Sequence, residues 1–252
     1  MHDDDHADNE KDVIYLEDHH NHDHKYEHEE EDHIHICSIE VDADIYGKLK
    51  EKATENREIF RSQSIKAFNI MGSIGCGKTE LIVKMCQALN QGFHIGFIAG
   101  DVATTVDYER VRSIVDKGIQ INTGKECHLD SIVVNKALER ILGHEEDAGI
   151  DVLFIENVGN LICPSDFDLG EEKRVVVVSV DQGPWIIRKH PILIKTCEVI
   201  VINKADLAKA MDVNVEELVE DAKKINPRAK VVVTSAKTGE GIEKLIKSLE
   251  IK

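Results

Sequence analysis

The sequence predicts an α/β domain with a doubly wound, mostly parallel sheet, preceded by a disordered, histidine-rich N-terminal tail. Three observations carry that expectation. Short apolar runs alternate with amphipathic stretches from Ile65 to the C-terminus, as expected of strands joined by crossover helices. A glycine-rich string, GSIGCGKT (72–79), falls between one such run and one such stretch. Residues 1–35, by contrast, hold fourteen Asp or Glu, two Lys and nine of the thirteen histidines, with too few apolar side chains to build a core.

In chain order, residues 1–40 are expected to form the tail, 41–63 a leading helix and 64–252 the folded domain. SIKAFNI (64–70) reads as a strand, followed by the glycine loop and a helix over about 78–90. Further strands are predicted at HIGFIAG (94–100), IDVLFIEN (150–157), RVVVVSV (174–180), CEVIVINK (197–204) and KVVVTSA (230–236). Helical spacing marks 129–142, 213–225 and 241–249. A chain of 252 residues suits one such domain with an appendage.

Composition narrows the function. The formal charge of −17 opposes nucleic acid, whose phosphates it would repel. No apolar run approaches the roughly 20 residues of a membrane-spanning helix, and the N-terminus lacks the basic and apolar regions of a signal peptide, so a cytoplasmic protein is expected. The six cysteines are too sparse for a disulfide framework and read as reduced thiols. In the tail, His19, His20, His22, His24 and His28 lie among carboxylates. Such a segment suits weak, multiple binding of divalent transition metals; a solvated polar leader is the competing reading.

The glycine string fits GxxxxGK(S/T) through Gly72, Ser73, Gly75, Cys76, Gly77, Lys78 and Thr79. Between a strand and a helix, such a loop wraps phosphates with backbone N–H groups, Lys78 adds a charge between the β and γ positions, and Thr79 offers a hydroxyl to Mg²⁺. The base is read farther on. NKAD places Asn203, Lys204 and Asp206 after a strand, where a carboxylate accepts from guanine N1 and N2. SAK places Ser235, Ala236 and Lys237 after the next strand, where a backbone amide meets guanine O6. GTP is therefore expected over ATP, bound at the carboxyl ends of the strands. Asp101 and Glu156, at two other strand ends, are candidates to hold Mg²⁺ or its water, and Gly159 to give its amide to the γ-phosphate. Asp101 also reads as a helix cap. No Arg or Gln is marked by spacing as a charge-stabilising finger, so slow hydrolysis is expected.

INTGKECHLD (121–130) adds soft and borderline donors, Cys127 and His128, which alone form half a metal site. Cys163, just beyond the Glu156–Gly159 segment, supplies another thiol that nucleotide state can move; buried structural roles remain the competing reading.

Together GSIGCGKTEL, GDVATTVDYERV, NTGKECHLD, FIENVGNLICP, NKADL and SAKTGEG resemble the HypB family, the nickel-incorporation GTPases of nickel–iron hydrogenase maturation, from about Ile65 to the C-terminus. The resemblance implies a P-loop NTPase of the SIMIBI class that forms a nucleotide-dependent homodimer. It implies Ni²⁺ or Zn²⁺ at the interface, held by Cys127, His128 and Cys163 of both subunits, and as partners a second accessory protein and the hydrogenase large subunit. Two features depart from the family: there is no CxxCGC motif, and SVDQGPWIIRKHP (179–191) stands where relatives read closer to SVTEGDDKPLKYP, with Lys189 kept. A urease-maturation GTPase and a passive metal store are the alternatives; CPS at 163–165 in place of CPH disfavours the first, the complete GTPase motifs the second.

Overall fold

The structure, a computed structural model, describes residues 13–15, 43–143 and 149–251. The elements begin with strand β1 (Val13–Tyr15), helix α1 (Ala43–Ser62), β2 (Lys66–Gly72), α2 (Lys78–Leu89), β3 (Ile95–Asp101), α3 (Val106–Arg112), β4 (Lys117–Asn122) and α4 (Ser131–Leu142). They continue with β5 (Val152–Glu156), β6 (Lys173–Ser179), α5 (Ile186–Lys189), α6 (Pro191–Thr196), β7 (Val199–Asn203), α7 (Val215–Ile225), β8 (Lys230–Val233) and α8 (Ile242–Leu249). Single 3₁₀ turns stand at Cys163–Asp166, Val180–Gln182 and Ala205–Leu207.

The described strands form one sheet in the order β1-β4-β3-β5-β2-β6-β7-β8. Every neighbouring pair is parallel, so the sheet is wholly rather than mostly parallel. A parallel sheet is covered on both faces, and the period of two in β2 shows it. Phe68 and Ile70 pack with Leu81, Met85 and Leu89 of α2, whereas Ala67 packs with the core under α4. Met71 joins the third cluster, with Val176 and Ile200 beneath α5 to α7.

The leading helix is docked on this framework. Asn56 Nδ2 donates to Ser131 O (2.9 Å) and Leu169 O (3.0 Å), and Asn135 Nδ2 donates to Asn56 Oδ1 (2.8 Å). These bonds and buried Phe60 fix α1 against the start of α4, because buried amides require partners.

Two strands escaped the sequence reading. β4 carries buried Gln120 and Asn122 between its isoleucines, which interrupts the apolar run; Gln120 Nε2 answers by donating to Asn122 Oδ1 (3.1 Å). β1 lies within the expected tail and pairs with β4. The rest of the expected tail, including His19, His20, His22, His24 and His28, lies outside the described residues, as does Cys37. Short α3, α5 and α6 were also unread. Among the described residues no helix is long and apolar enough to cross a membrane, and the five described cysteines are free thiols.

Candidate nucleotide and metal site

The described nucleotide candidates gather at one edge, because parallel strands end on the same side: Gly72, Asp101, Glu156 and Asn203 close β2, β3, β5 and β7. The glycine loop leads into α2 through Gly77, whose φ of 97° is left-handed. A Cβ there would also stand 2.5 Å from Asn203 Nδ2, so both conformation and space call for glycine. Lys78 Nζ donates to Gly72 O (3.1 Å) and Ser73 O (3.3 Å), and Thr79 Oγ1 donates to Glu156 Oε1 (2.8 Å). Lys78, Thr79, Asp101, Glu156 and Gly159 line one cavity of about 340 Å³ at the mouth of this loop.

Glu156 is buried beside Lys78, 4.0 Å away. Burial pushes its carboxyl up to about 7 against the pull of Lys78, and its Oε2 has no hydrogen-bond partner among the described residues. A buried orphan oxygen of this kind suits a divalent cation or its water. Asp101 Oδ1 accepts from Ala103 N and Thr104 N, both at 2.9 Å. These bonds close a turn rather than cap a helix, since the N-cap of α3 is Thr105 and has no side-chain cap; Asp101 also lines the cavity.

The base motifs are bound to the phosphate loop. Asn203 Nδ2 donates to Cys76 O (3.0 Å), and its Oδ1 accepts from Thr234 Oγ1 (3.0 Å) and Ala236 N (3.1 Å). Asn203 is thus a staple between NKAD, SAK and the loop, and it occupies the Ala236 amide. Ser235 Oγ donates to Asp206 Oδ1 (2.7 Å), which orients that carboxylate. Lys204, at a left-handed φ of 59°, donates to Asp181 Oδ2 (2.6 Å). Lys237 stands in the same turn as Ser235.

The metal candidates sit one loop away. Thr123 N donates to Asp101 O (2.8 Å) and Gly124 N to Val102 O (3.0 Å), which ties the segment before Cys127 to the end of β3. Asn157 Oδ1 accepts from Leu129 N (3.0 Å), and Asn160 Nδ2 donates to Cys127 O (3.4 Å). Cys127 Sγ lies 3.9 Å from His128 Nδ1. The Cys163 thiol, within hydrogen-bonding reach, and burial together hold the Cys127 thiol above its usual range. The His128 ring stacks on Phe167 at 3.8 Å, and burial lowers its affinity for a proton, favouring the neutral, ligating form. Among the described residues, no three or more His, Cys, Asp or Glu side chains converge to hold an ion; the trio is an open set.

Several groups were not legible. Arg110 and Asp107 of α3 line the phosphate cavity. Gln182 Nε2 donates to Ser73 Oγ, so the divergent 179–191 segment touches the phosphate loop. Only the DYER spacing, which places Asp107 and Arg110 three apart and one turn along a helix face, offered a signal for the first pair.

Comparison with known proteins supplies the family and supports the fold. Residues 66–233 match the model described as CobW/HypB/UreG, nucleotide-binding domain. The "probable hydrogenase maturation factor HypB" of Methanocaldococcus jannaschii is 47% identical over 212 residues, covering 84% of this chain and 94% of the relative. The crystal structure of hydrogenase maturation factor HypB from Archaeoglobus fulgidus superposes with a TM-score of 0.74 at 46% identity, covering 81% of this chain and 98% of that one. HypB from Helicobacter pylori, solved in complex with nickel, gives a TM-score of 0.75 at 29% identity over 81% and 95%. A nucleotide-binding edge of this construction, matched across most of the chain by these relatives, makes the protein a member of the CobW/HypB/UreG family, on its HypB side.

Proposed function

We propose that the protein is a slow GTPase and metallochaperone that binds Ni²⁺ and delivers it for nickel–iron hydrogenase maturation, with nucleotide-dependent dimerisation coupled to metal capture. The observation that supports it best is the shared support of the two sites. The loop before Cys127 hangs from the end of β3, beside Asp101, while Asn157 and Asn160 bond it to the segment that carries Gly159. A change at the γ-phosphate is then felt at the thiols.

In this reading Gly72 to Thr79 cradle the phosphates, Lys78 leaves its loop carbonyls for the β and γ oxygens, and the Gly159 amide meets the γ-phosphate. Asp206 accepts from guanine N1 and N2, and an amide of the SAK turn beyond Ala236 meets O6. Thr79, with Asp101 or Glu156, would hold Mg²⁺, which neutralises charge on the phosphates. Cys127, His128 and Cys163 take Ni²⁺ or Zn²⁺ as cargo, with matching ligands from a second copy completing the set. The partners are a second accessory protein and the hydrogenase large subunit, in the cytoplasm.

The test is GTP turnover with and without Ni²⁺, paired with a chelator-competition titration that isolates tight metal binding. Lys78→Ala is expected to abolish turnover and leave metal binding to the monomer largely intact. Cys127→Ala is expected to weaken the tight class. Retained turnover in the first variant, or unchanged affinity in the second, defeats the corresponding assignment.

A further inference from the structure

α3 brings a cation to the phosphate cavity and holds it there with carboxylates. Arg110 Nη2 lies 2.5 Å from Glu80 Oε2, and Nη1 lies 3.9 Å from Asp107 Oδ1. Glu80 directly follows Thr79 in the first turn of α2. Glu80, Asp107 and Arg110 line the same cavity as Lys78 and Glu156, and the charges of Asp107 and Arg110 are both felt at Glu156. The guanidinium therefore stands at the wall of the cavity that the GTPase reading gives to the γ-phosphate.

From this placement we infer that Arg110 is a catalytic residue for GTP hydrolysis, supplied in cis and restrained by Glu80. The inference rests on the GTPase reading above. In the reaction a water oxygen forms a bond to Pγ. The bridging oxygen–Pγ bond breaks, and its electron pair stays on the β-phosphate of GDP; the water's protons leave with the released phosphate and solvent. Charge grows on the bridging and equatorial oxygens, and a planar, permanently charged fork matches them. The Arg110 side chain is 46% exposed, so packing does not lock it. A triphosphate bears more negative charge than the Glu80 and Asp107 carboxylates together and competes for the fork. The acidic restraint also gives slow hydrolysis a physical cause: the stabilising charge is present but divided between Glu80 and the substrate.

The reading separates from a plain surface ion pair by which rate changes. An ion pair that serves stability alone leaves turnover untouched. A fully engaged arginine finger is worth about 10³ to 10⁵ in rate, and restraint by Glu80 reduces that.

The experiment uses the full chain with Mg²⁺ and measures single-turnover GTP hydrolysis beside the affinity for fluorescent mant-GDP. Arg110→Ala is expected to slow hydrolysis by roughly 10²-fold with mant-GDP affinity nearly unchanged. Arg110→Lys, which keeps the charge but not the fork, should fall between Ala and the wild type. Glu80→Gln should hydrolyse severalfold faster than wild type. Hydrolysis at the wild-type rate in Arg110→Ala, or a loss of nucleotide affinity as large as the loss of rate, overturns the assignment; Lys78→Ala in parallel shows whether the GTPase reading survives. If Arg110→Ala fails to fold, a wild-type rate in Arg110→Lys together with an unaltered or slower Glu80→Gln overturns it. A wild-type protein that hydrolyses no GTP overturns both readings.

Discussion

In the proposed guanine site, Asp206 is a carboxylate held in place by its own neighbours. Ser235 Oγ fixes one oxygen at 2.7 Å, and Asn203 joins the surrounding turn to the phosphate loop at Cys76. Fixing the acceptor in advance lowers the entropy lost on binding. Asp206→Asn replaces an acceptor of two guanine N–H groups by an amide that presents its own donors. Hydrogen bonds to charged groups are worth about 1.5–3 kcal/mol. GTP affinity is therefore expected to fall by one to two orders of magnitude, with the fold intact, as isothermal titration would show; an unchanged affinity would remove Asp206 from the base site. This residue was legible because its four-residue string is contiguous. Gln182, Asn157 and Arg110 were not, because each works through a distant partner: Ser73, Leu129 and Glu80 respectively. Pairings at such separations leave no periodic trace in a single sequence.

Among the elements, the segment after β5 is where the proposed coupling of nucleotide and metal would run. It is pressed against the phosphate loop, since a Cβ on Gly159 would stand 2.4 Å from Ile74 Cγ1. It is bridged to β2 at Gly72 and Asn160. The Asn160 side chain then spans two neighbours, accepting from Ile162 N (2.9 Å) beside Cys163 and donating to the Cys127 carbonyl (3.4 Å). Asn157 is more deeply set, accepting from Leu129 N and donating to Asn69 Oδ1 (3.2 Å). Removing the two asparagines should have different consequences. Asn157→Ala orphans a buried amide and is expected to cost about 1–3 kcal/mol of stability in chemical denaturation. Asn160→Ala should cost little stability and instead shrink the difference in metal affinity between the GDP and GTP-analogue states. Coupling energies of this kind run about 1–3 kcal/mol, and losing half of one is measurable by competition. An undiminished difference in Asn160→Ala would place the coupling elsewhere. Sequence periodicity succeeded only in part: β5 and β7 are apolar on both faces up to their last residue, and β2 is interrupted in its core only by Asn69, so all three stood out. β4 carries polar groups into the core, and the loops that it supports were visible only as motifs.

At the scale of the molecule, the edge that holds the nucleotide cavity also exposes apolar side chains, Ile74 at 85% and Ile162 at 70%. One belongs to the phosphate loop and the other adjoins Cys163. Exposed apolar groups beside an open set of candidate metal ligands suit the proposed isologous interface, in which a two-fold axis would bring a second Cys127, His128 and Cys163 to meet the first and would cover both isoleucines at once. In the proposed function nucleotide would enter the balance because Ile74 belongs to the phosphate loop and packs on Gly159, so that filling the loop would fix both surfaces in one arrangement. The mass of the full chain in light scattering should therefore double with a non-hydrolysable GTP analogue and fall back with GDP. Ni²⁺ should lower the concentration needed for association, because ligands drawn from two copies bind the ion only when paired. Ile162→Asp places a charge in the covered patch, and its mass should stay that of one chain with the analogue present, while Lys78-dependent nucleotide binding persists. If the wild-type mass is the same in both nucleotide states, with and without Ni²⁺, the open trio must be completed by another protein rather than by a second copy of this chain.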